Sequence, residues 1–338
     1  MKTIQKQKQK LNYIQLLRAI GAIAVVLFHA AGATTKYSLS PARSIDFLRF
    51  GANGVDLFFV ISGFVIYYTN IDESAGNFMR KRLERIVPIY WVFTLSAIPA
   101  VIITAAAGTS FPWSKFVMSL GFVSFLRNDT PFLYVGWSLE YEMYFYLCVA
   151  LSMALIRTRW ALVCAALSGA IVLGTVIGSG EAIARFCSDP IILEFLIGIL
   201  IGQAYRNKRI GWIEAASVFA AAAAIFFFGS NLKTFHAGLP AAILVIGAAW
   251  AGTRYLPKWI VMLGDASYSI YLAQVFTISM CGKLLQLLFP ALNPDVFVLI
   301  ATLITIFAGA MAYQFVELPM LKRLRNSRKK RTVAVGAV

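Results

Sequence analysis

The chain has 338 residues, 59% of them hydrophobic and 14% charged, where an ordinary soluble chain has roughly 45–50% and about 25%. That balance excludes a soluble globular protein, and no polar segment is long enough for an independent soluble domain. The formal charge of +16 does not indicate nucleic acid, because Lys and Arg are spread over many short loops instead of forming one face.

A bilayer crossing needs about 20 apolar residues, and stretches of that length recur from residue 11 to residue 319. They predict an all-α integral membrane protein of about ten transmembrane helices, at 11–31, 50–70, 87–107, 137–156, 160–178, 190–205, 212–229, 237–252, 266–289 and 296–319. Residues 1–10 read as a basic N-terminus, 11–319 as one membrane domain and 320–338 as a basic tail. Lys2–Lys10, the apolar run Ala19–Phe28 and Ala31-Gly32-Ala33 imitate a signal peptide. Arg18 at the start of that run, and the need for an anchor of fixed orientation, favour a retained first span.

Most basic residues fall in alternate loops: Lys2–Lys10, Arg80–Arg85, Arg157 and Arg159, Arg206–Arg209, Arg254 and Lys258, and Lys322–Arg331. That bias predicts cytoplasmic termini and an even helix number. Residues 111–127 are apolar but short and broken by Gly121, which suggests a re-entrant or interfacial segment on the outer side. Cys148, Cys164, Cys187 and Cys281 lack metal-ligand or CxxC spacing and read as packing residues; no metal is expected. The glycines of Gly51-Ala52-Asn53-Gly54 and Ser62-Gly63 read as points of close helix packing.

Charge inside a membrane costs roughly 2.5–3.5 kcal/mol at mid-helix, so each buried ionisable residue calls for a reason. Arg18, His29, Asp56, Glu140, Glu142, Glu194, Asp265 and Glu317 form that set. Arg18 and His29 are eleven residues apart, which places them on one helix face about 16 Å apart along the axis. A general base needs a near-neutral pKa, and imidazole has one unaided. His29 is one of only two histidines; His236 lies at an outer helix start, where a loop role suits it better. Asp56 is a candidate to orient the His29 ring.

Arg82 and Arg85 are helical neighbours if their loop is helical, and paired guanidinium forks suit phosphate oxygens. Topology alone explains them equally well. Trp137 to Tyr146 sets aromatic rings and two acids at an outer interface; a membrane belt accounts for the rings but not for Glu140 and Glu142.

Together these residues resemble the acyltransferase 3 family of bacterial membrane O-acyltransferases, and the likeness covers nearly the whole chain. Arg18 and His29 resemble its Arg-x10-His signature, which the resemblance implies is required for activity. Gly54-Val55-Asp56-Leu57-Phe58-Phe59-Val60-Ile61-Ser62-Gly63-Phe64 is similar to the second-helix motif. Arg82-x-x-Arg85 with Pro88-Ile89-Tyr90-Trp91 resembles the cytoplasmic motif, and Trp137-Ser138-Leu139 with Glu142 and Phe145-Tyr146 the fourth-helix motif. Leu263-Gly264, Ser267 to Leu272 and Glu317-Leu318-Pro319 resemble the last two blocks, and Ile14 to Ala19 looks closest to an exopolysaccharide-modifying branch. Where relatives often carry His, this chain has Gln274, which argues against acid–base work at that position.

The resemblance implies an acyl-CoA donor, acetyl-CoA being the expected one, and a glycan or lipid-linked saccharide acceptor at a bacterial inner membrane. The expected assignment is His29, Arg18, Asp56 and Glu317 as catalytic residues and Arg82, Arg85 and Arg18 on the donor. Trp137, Glu142 and Tyr146 support the acceptor or the structure, and Glu317 is expected to pair with Arg18 or gate the donor. A homo-oligomer or polysaccharide-synthesis partners stay open. A rival class is a transporter or flippase with Arg18, Asp56, Glu142 and Glu317 along one path. A scaffold subunit of a polysaccharide synthase is the third reading.

Overall fold

A computed structural model describes residues 11–37, 44–69, 73–104, 110–156, 160–178, 180–229, 232–252 and 255–335, without the side chains of 156 and 327–335. Lys2–Lys10, Arg43, Arg157, Arg159 and Arg254, and the basic side chains at 328–331, lie outside the described residues. Among the described residues the chain is helical throughout, with no strand.

Ten main helices follow one another: α1 (Asn12–Lys36), α2 (Gly54–Thr69), α3 (Ala75–Ser96), α4 (Trp137–Ile156), α5 (Trp160–Val176), α6 (Ile192–Asn207), α7 (Trp212–Phe228), α8 (Lys233–Ala251), α9 (Ser267–Leu288) and α10 (Pro294–Ala312). Their ends follow local chemistry. Ser74 caps α3 by accepting the Asn77 N–H, and Asn293 caps α10 by accepting the Asp295 N–H at 2.8 Å, with Pro294 in the first turn, where its missing N–H is no loss.

Among the described residues six stretches are long and apolar enough to cross a membrane: Asn12–Lys36, Ile45–Thr69, Ala75–Ile103, Lys233–Ala251, Ser267–Leu288 and Pro294–Asn326. The other four expected spans coincide with α4, α5, α6 and α7. The helices α5, α6 and α7 have 17, 16 and 17 residues, hence about 24–26 Å of rise against a hydrocarbon core of about 30 Å. Two expected boundaries move. The third span begins at Ala75, so the basic segment Arg80–Arg85 is helix and not loop. The last runs past 319 through a widened π turn, Tyr313–Glu317, into Leu318–Val335. The widened turn sits just before Pro319, which has no N–H to donate and crowds a regular α turn.

Close helix crossings organise the bundle, and glycines permit them. α1 packs against α2, α9, α10 and the short helix Lys258–Asp265, while α2 runs along α6 and α8. A Cβ at Gly63 would collide with the Phe195 carbonyl, and one at Gly198 with the Val60 carbonyl. The packing role expected of Gly54 and Gly63 is what is found, since a Cβ at Gly54 would likewise strike the Gly21 carbonyl.

The segment 111–127 forms a short helix, Trp113–Leu120, and a 3-10 turn, Ser124–Arg127. Phe122 between them takes φ +58°, a costly conformation for a bulky residue. Its ring is buried and packs on Tyr90 at 4.8 Å, which offsets that cost. Lys115 bridges Asp129 at 3.1 Å and holds its carboxyl below the usual range.

Gly63→Val and Gly198→Val should each lower stability by about 1–3 kcal/mol through overpacking, read as a lower midpoint in thermal unfolding of the purified protein. Gly76→Ala, where nothing lies within 4 Å, should leave that midpoint in place.

Candidate functional site

One uninterrupted helix, α1, carries both Arg18 and His29, yet the two side chains line different cavities. Arg18 faces a cavity of about 180 Å³ that Arg82, Arg85, Glu142 and Tyr146 also line. His29 faces a second one, of about 290 Å³, lined by Tyr134, Gln274 and Lys36 among others. The single path expected from the shared helix face is thus divided in two. Between the two voids lies one turn of α9, from Tyr271, which lines the first, to Gln274, which lines the second.

In the first cavity three guanidinium groups converge from α1 and α3. The Arg18 Nη2 donates to Ser267 Oγ at 3.1 Å. The Arg82 guanidinium lies between the rings of Phe78 and Tyr146, each centroid 5.4 Å away, and its buried Nε has no partner. Arg85 stands within Coulombic range of Arg18 and Glu317. The carboxylate lining this cavity, Glu142, accepts from Ser62 Oγ at 3.0 Å and from the Tyr146 hydroxyl. Such a void has a surplus of cationic donors and attracts anions.

The second cavity holds an imidazole in one defined tautomer. His29 Nδ1 lies 3.0 Å from the Val25 carbonyl and 3.0 Å from Gln274 Oε1. Both are acceptors, because Gln274 Nε2 donates to the Tyr271 carbonyl at 2.8 Å and so turns its oxygen to the ring. Nδ1 therefore carries the proton and Nε2 keeps its lone pair, with no partner among the described residues. The rings of Phe28 and Tyr134 meet the imidazole edge-on at 5.1 and 5.4 Å.

Asp56 does not orient this ring; Gln274 occupies that role. Asp56 is instead buried beside Glu194, 3.5 Å from Lys233 Nζ, in a third cavity. That placement also separates Asp56 from Arg18 and Glu142, which a single transport path would join. Nor does Glu317 form an ion pair with Arg18 among the described residues: its Oε2 accepts from Ser269 Oγ at 2.6 Å. Trp137 lines the third cavity with Asp56, whereas Glu142 and Tyr146 line the first. Glu140 is structural: its carboxylate accepts the backbone N–H of Ser124 at 2.8 Å and of Phe125 at 3.3 Å.

Three contributors escaped sequence reasoning. Gln274 was discounted because it is not an acid or base, although a buried amide in an apolar helix always needs partners. Ser267 and Ser62 are short hydroxyls whose partners, Arg18 and Glu142, lie 249 and 80 residues away. Among the described residues no group of His, Cys, Asp or Glu is placed to hold a metal ion.

Residues 11–313 match the family described as the acyltransferase domain. The chain is 31% identical over 323 residues to the exopolysaccharide production protein ExoZ of Rhizobium meliloti, covering 90% of this chain and 96% of that one. It is 27% identical over 322 residues to the acyltransferase MdmB of Streptomyces mycarofaciens, covering 82% and 83%. No solved structure matches it.

Removing the Glu140 carboxylate leaves the backbone donors of Ser124 and Phe125 unpaired. Glu140→Ala should cost about 2–3 kcal/mol and speed protease cleavage between residues 122 and 131, measured by limited proteolysis and mass spectrometry.

Proposed function

Because the chain belongs to the acyltransferase family of that domain, we propose that it moves an acyl group, acetyl in the simplest case, from acyl-CoA to a hydroxyl of a cell-surface or lipid-linked glycan. In this reading the ten main helices all cross a bacterial inner membrane, with both termini in the cytoplasm. The end of the bundle that carries Arg82 then faces the cytoplasm and the end that carries His29 faces outward.

The observation that carries the reading is the convergence of Arg18, Arg82 and Arg85 on one cavity whose carboxylate already has two hydroxyl partners. A polyanionic donor satisfies such a surplus, and guanidinium forks bind phosphate oxygens two at a time. The phosphates dock at the mouth of this void, against Arg82 and Arg85, and the narrow pantetheine arm enters it. The thioester passes Arg18 toward the turn from Tyr271 to Gln274.

At the other end His29 Nε2 takes the proton of the acceptor hydroxyl as its oxygen attacks the thioester carbonyl. The carbon–sulfur bond then breaks, the CoA thiolate leaves and the imidazolium returns the proton to it. The name of the relative from Rhizobium meliloti supports an exopolysaccharide as the acceptor class.

His29→Ala should abolish transfer while the protein still binds acyl-CoA; robust acyl transfer by that variant, followed by thiol release, removes His29 from the mechanism. Replacing Arg82 and Arg85 together by Ala should raise the KM for acyl-CoA about tenfold or more, with the gap between variant and wild type shrinking as salt is added. An unchanged KM would return both residues to a topological role.

Gln274 is a positioning residue, since it touches the ring and not the reacting atoms. Gln274→Leu should lower kcat about tenfold, which is about 1.4 kcal/mol of barrier, with KM for acyl-CoA unchanged. Gln274→Asn, too short to keep the contact, should fall between wild type and Leu.

A further inference from the structure

The third cavity, about 490 Å³ in volume, opens at the His29 end of the bundle and has no part in the donor chemistry above. Its size lies in the range of small-molecule sites, roughly 300–1,000 Å³. Two carboxylates form its floor. Asp56 is 1% exposed and Glu194 0% exposed, and the two carboxyls lie against each other within hydrogen-bonding reach. Lys233 Nζ approaches Asp56 Oδ1 at 3.5 Å. Even with a proton shared between them, two carboxyls so deeply buried keep lone pairs on their four oxygens that a ligand bringing donors would satisfy.

The lining decides which ligand. A metal ion would need three or more acidic or imidazole groups gathered on it, and none are so placed among the described residues. An anion would meet Asp56, Glu194 and Asp189; a cation would meet Lys233 and Arg185. A neutral polyol suits both signs, because each hydroxyl donates to a carboxylate and accepts from an ammonium or guanidinium. Trp137 completes the wall with a flat apolar face of the kind that packs against the C–H face of a pyranose. Trp137 is also the residue after the turn Tyr134–Gly136, and the Tyr134 ring touches His29, so the cavity and the imidazole flank the same turn.

We propose that this cavity is a saccharide subsite, in which Asp56 and Glu194 accept hydroxyl donors from one neutral sugar unit while a neighbouring unit of the same glycan offers its hydroxyl to His29. The proposal rests on the glycan reading of the acceptor. It assigns Glu194, outside the expected catalytic set, to acceptor binding, and moves Asp56 from ring orientation to the same task.

The test is direct binding of neutral oligosaccharides, cut from the producing strain's own surface polysaccharide after alkaline de-acylation and tritium-labelled, to the full chain in lipid nanodiscs. Wild type is compared with Glu194→Gln and with Thr175→Trp, which fills the half-buried rim without touching the carboxylates. Thermal unfolding midpoints identify the folded variants; if Glu194→Gln does not fold, Thr175→Trp decides alone. The expected result is oligosaccharide affinity at least tenfold weaker in each folded variant, with acyl-CoA affinity within twofold of wild type. No binding by wild type, or a smaller loss in the folded variants, overturns the subsite. Acyl transfer is measured separately on the same preparation. Saccharide binding that depends on Glu194 in a protein that transfers no acyl group would leave the subsite standing and sink the transferase reading.

Discussion

Polar side chains in an apolar bundle must find partners inside the protein, and here one helix supplies the side-chain partners of both Arg18 and His29. Along α9, Ser267 receives Arg18, Tyr271 bonds Ser138 and the Val135 carbonyl, and Gln274 receives His29. Those three positions are separated by four and three residues, so they form one face of the helix. Ser269, on the opposite side, donates to Glu317. Each ionisable group that α1 carries in the bundle is therefore matched by a group on α9 at the same depth. Shifting α9 by one turn would break all of these pairs at once, which makes its register against α1 the constraint on which both cavities depend.

That constraint explains why the fold was more legible in the sequence than the site. Helical spacing placed Arg18 and His29 on one element, and glycine runs marked α2 as a helix that others approach closely; both follow from local geometry. Helix ends were harder. The basic run Arg80–Arg85 looks like a loop by charge, yet Ser74 starts the helix well before it, because Arg, Lys and Glu all favour helix and Arg80 pairs with Glu84 at 2.8 Å. The short helices α5 to α7 matched their expected positions but not the length of a full crossing.

The site was legible as a set of residues and not as an arrangement. Burial cost singled out Asp56, Glu140, Glu142 and Glu194 alike, since a carboxylate in an apolar run draws attention wherever its partner lies. Only the tertiary structure separates them: Glu140 holds a loop backbone, Glu142 turns toward the arginines, and Asp56 pairs with Glu194 across the packed helices α2 and α6. Asp56 could not be divorced from His29 by spacing, because which neighbour a helix face meets is a long-range property. Gln274 shows the complementary failure. An amide moves no proton, and its contribution is the hydrogen bond that fixes where the His29 proton sits.

The separation of the Arg18 cavity from the His29 cavity has a physical logic in the acyl-transfer reading. The phosphates of a CoA donor carry several negative charges, and taking them past mid-bundle would cost far more than any one arginine returns. With Arg82 and Arg85 at the mouth and Arg18 deeper on the same side, they have no need to travel. The arm that must advance is uncharged, and the layer in its way is an aromatic ring and an amide, Tyr271 and Gln274, whose hydrogen bonds end on neutral groups and on the His29 ring. Displacing neutral side chains for a neutral arm involves no exposed charge. In that reading the layer that divides the cavities selects by polarity, passing a thioester and holding back the nucleotide, and it is built from the same helix that fixes the tautomer of His29 beyond it.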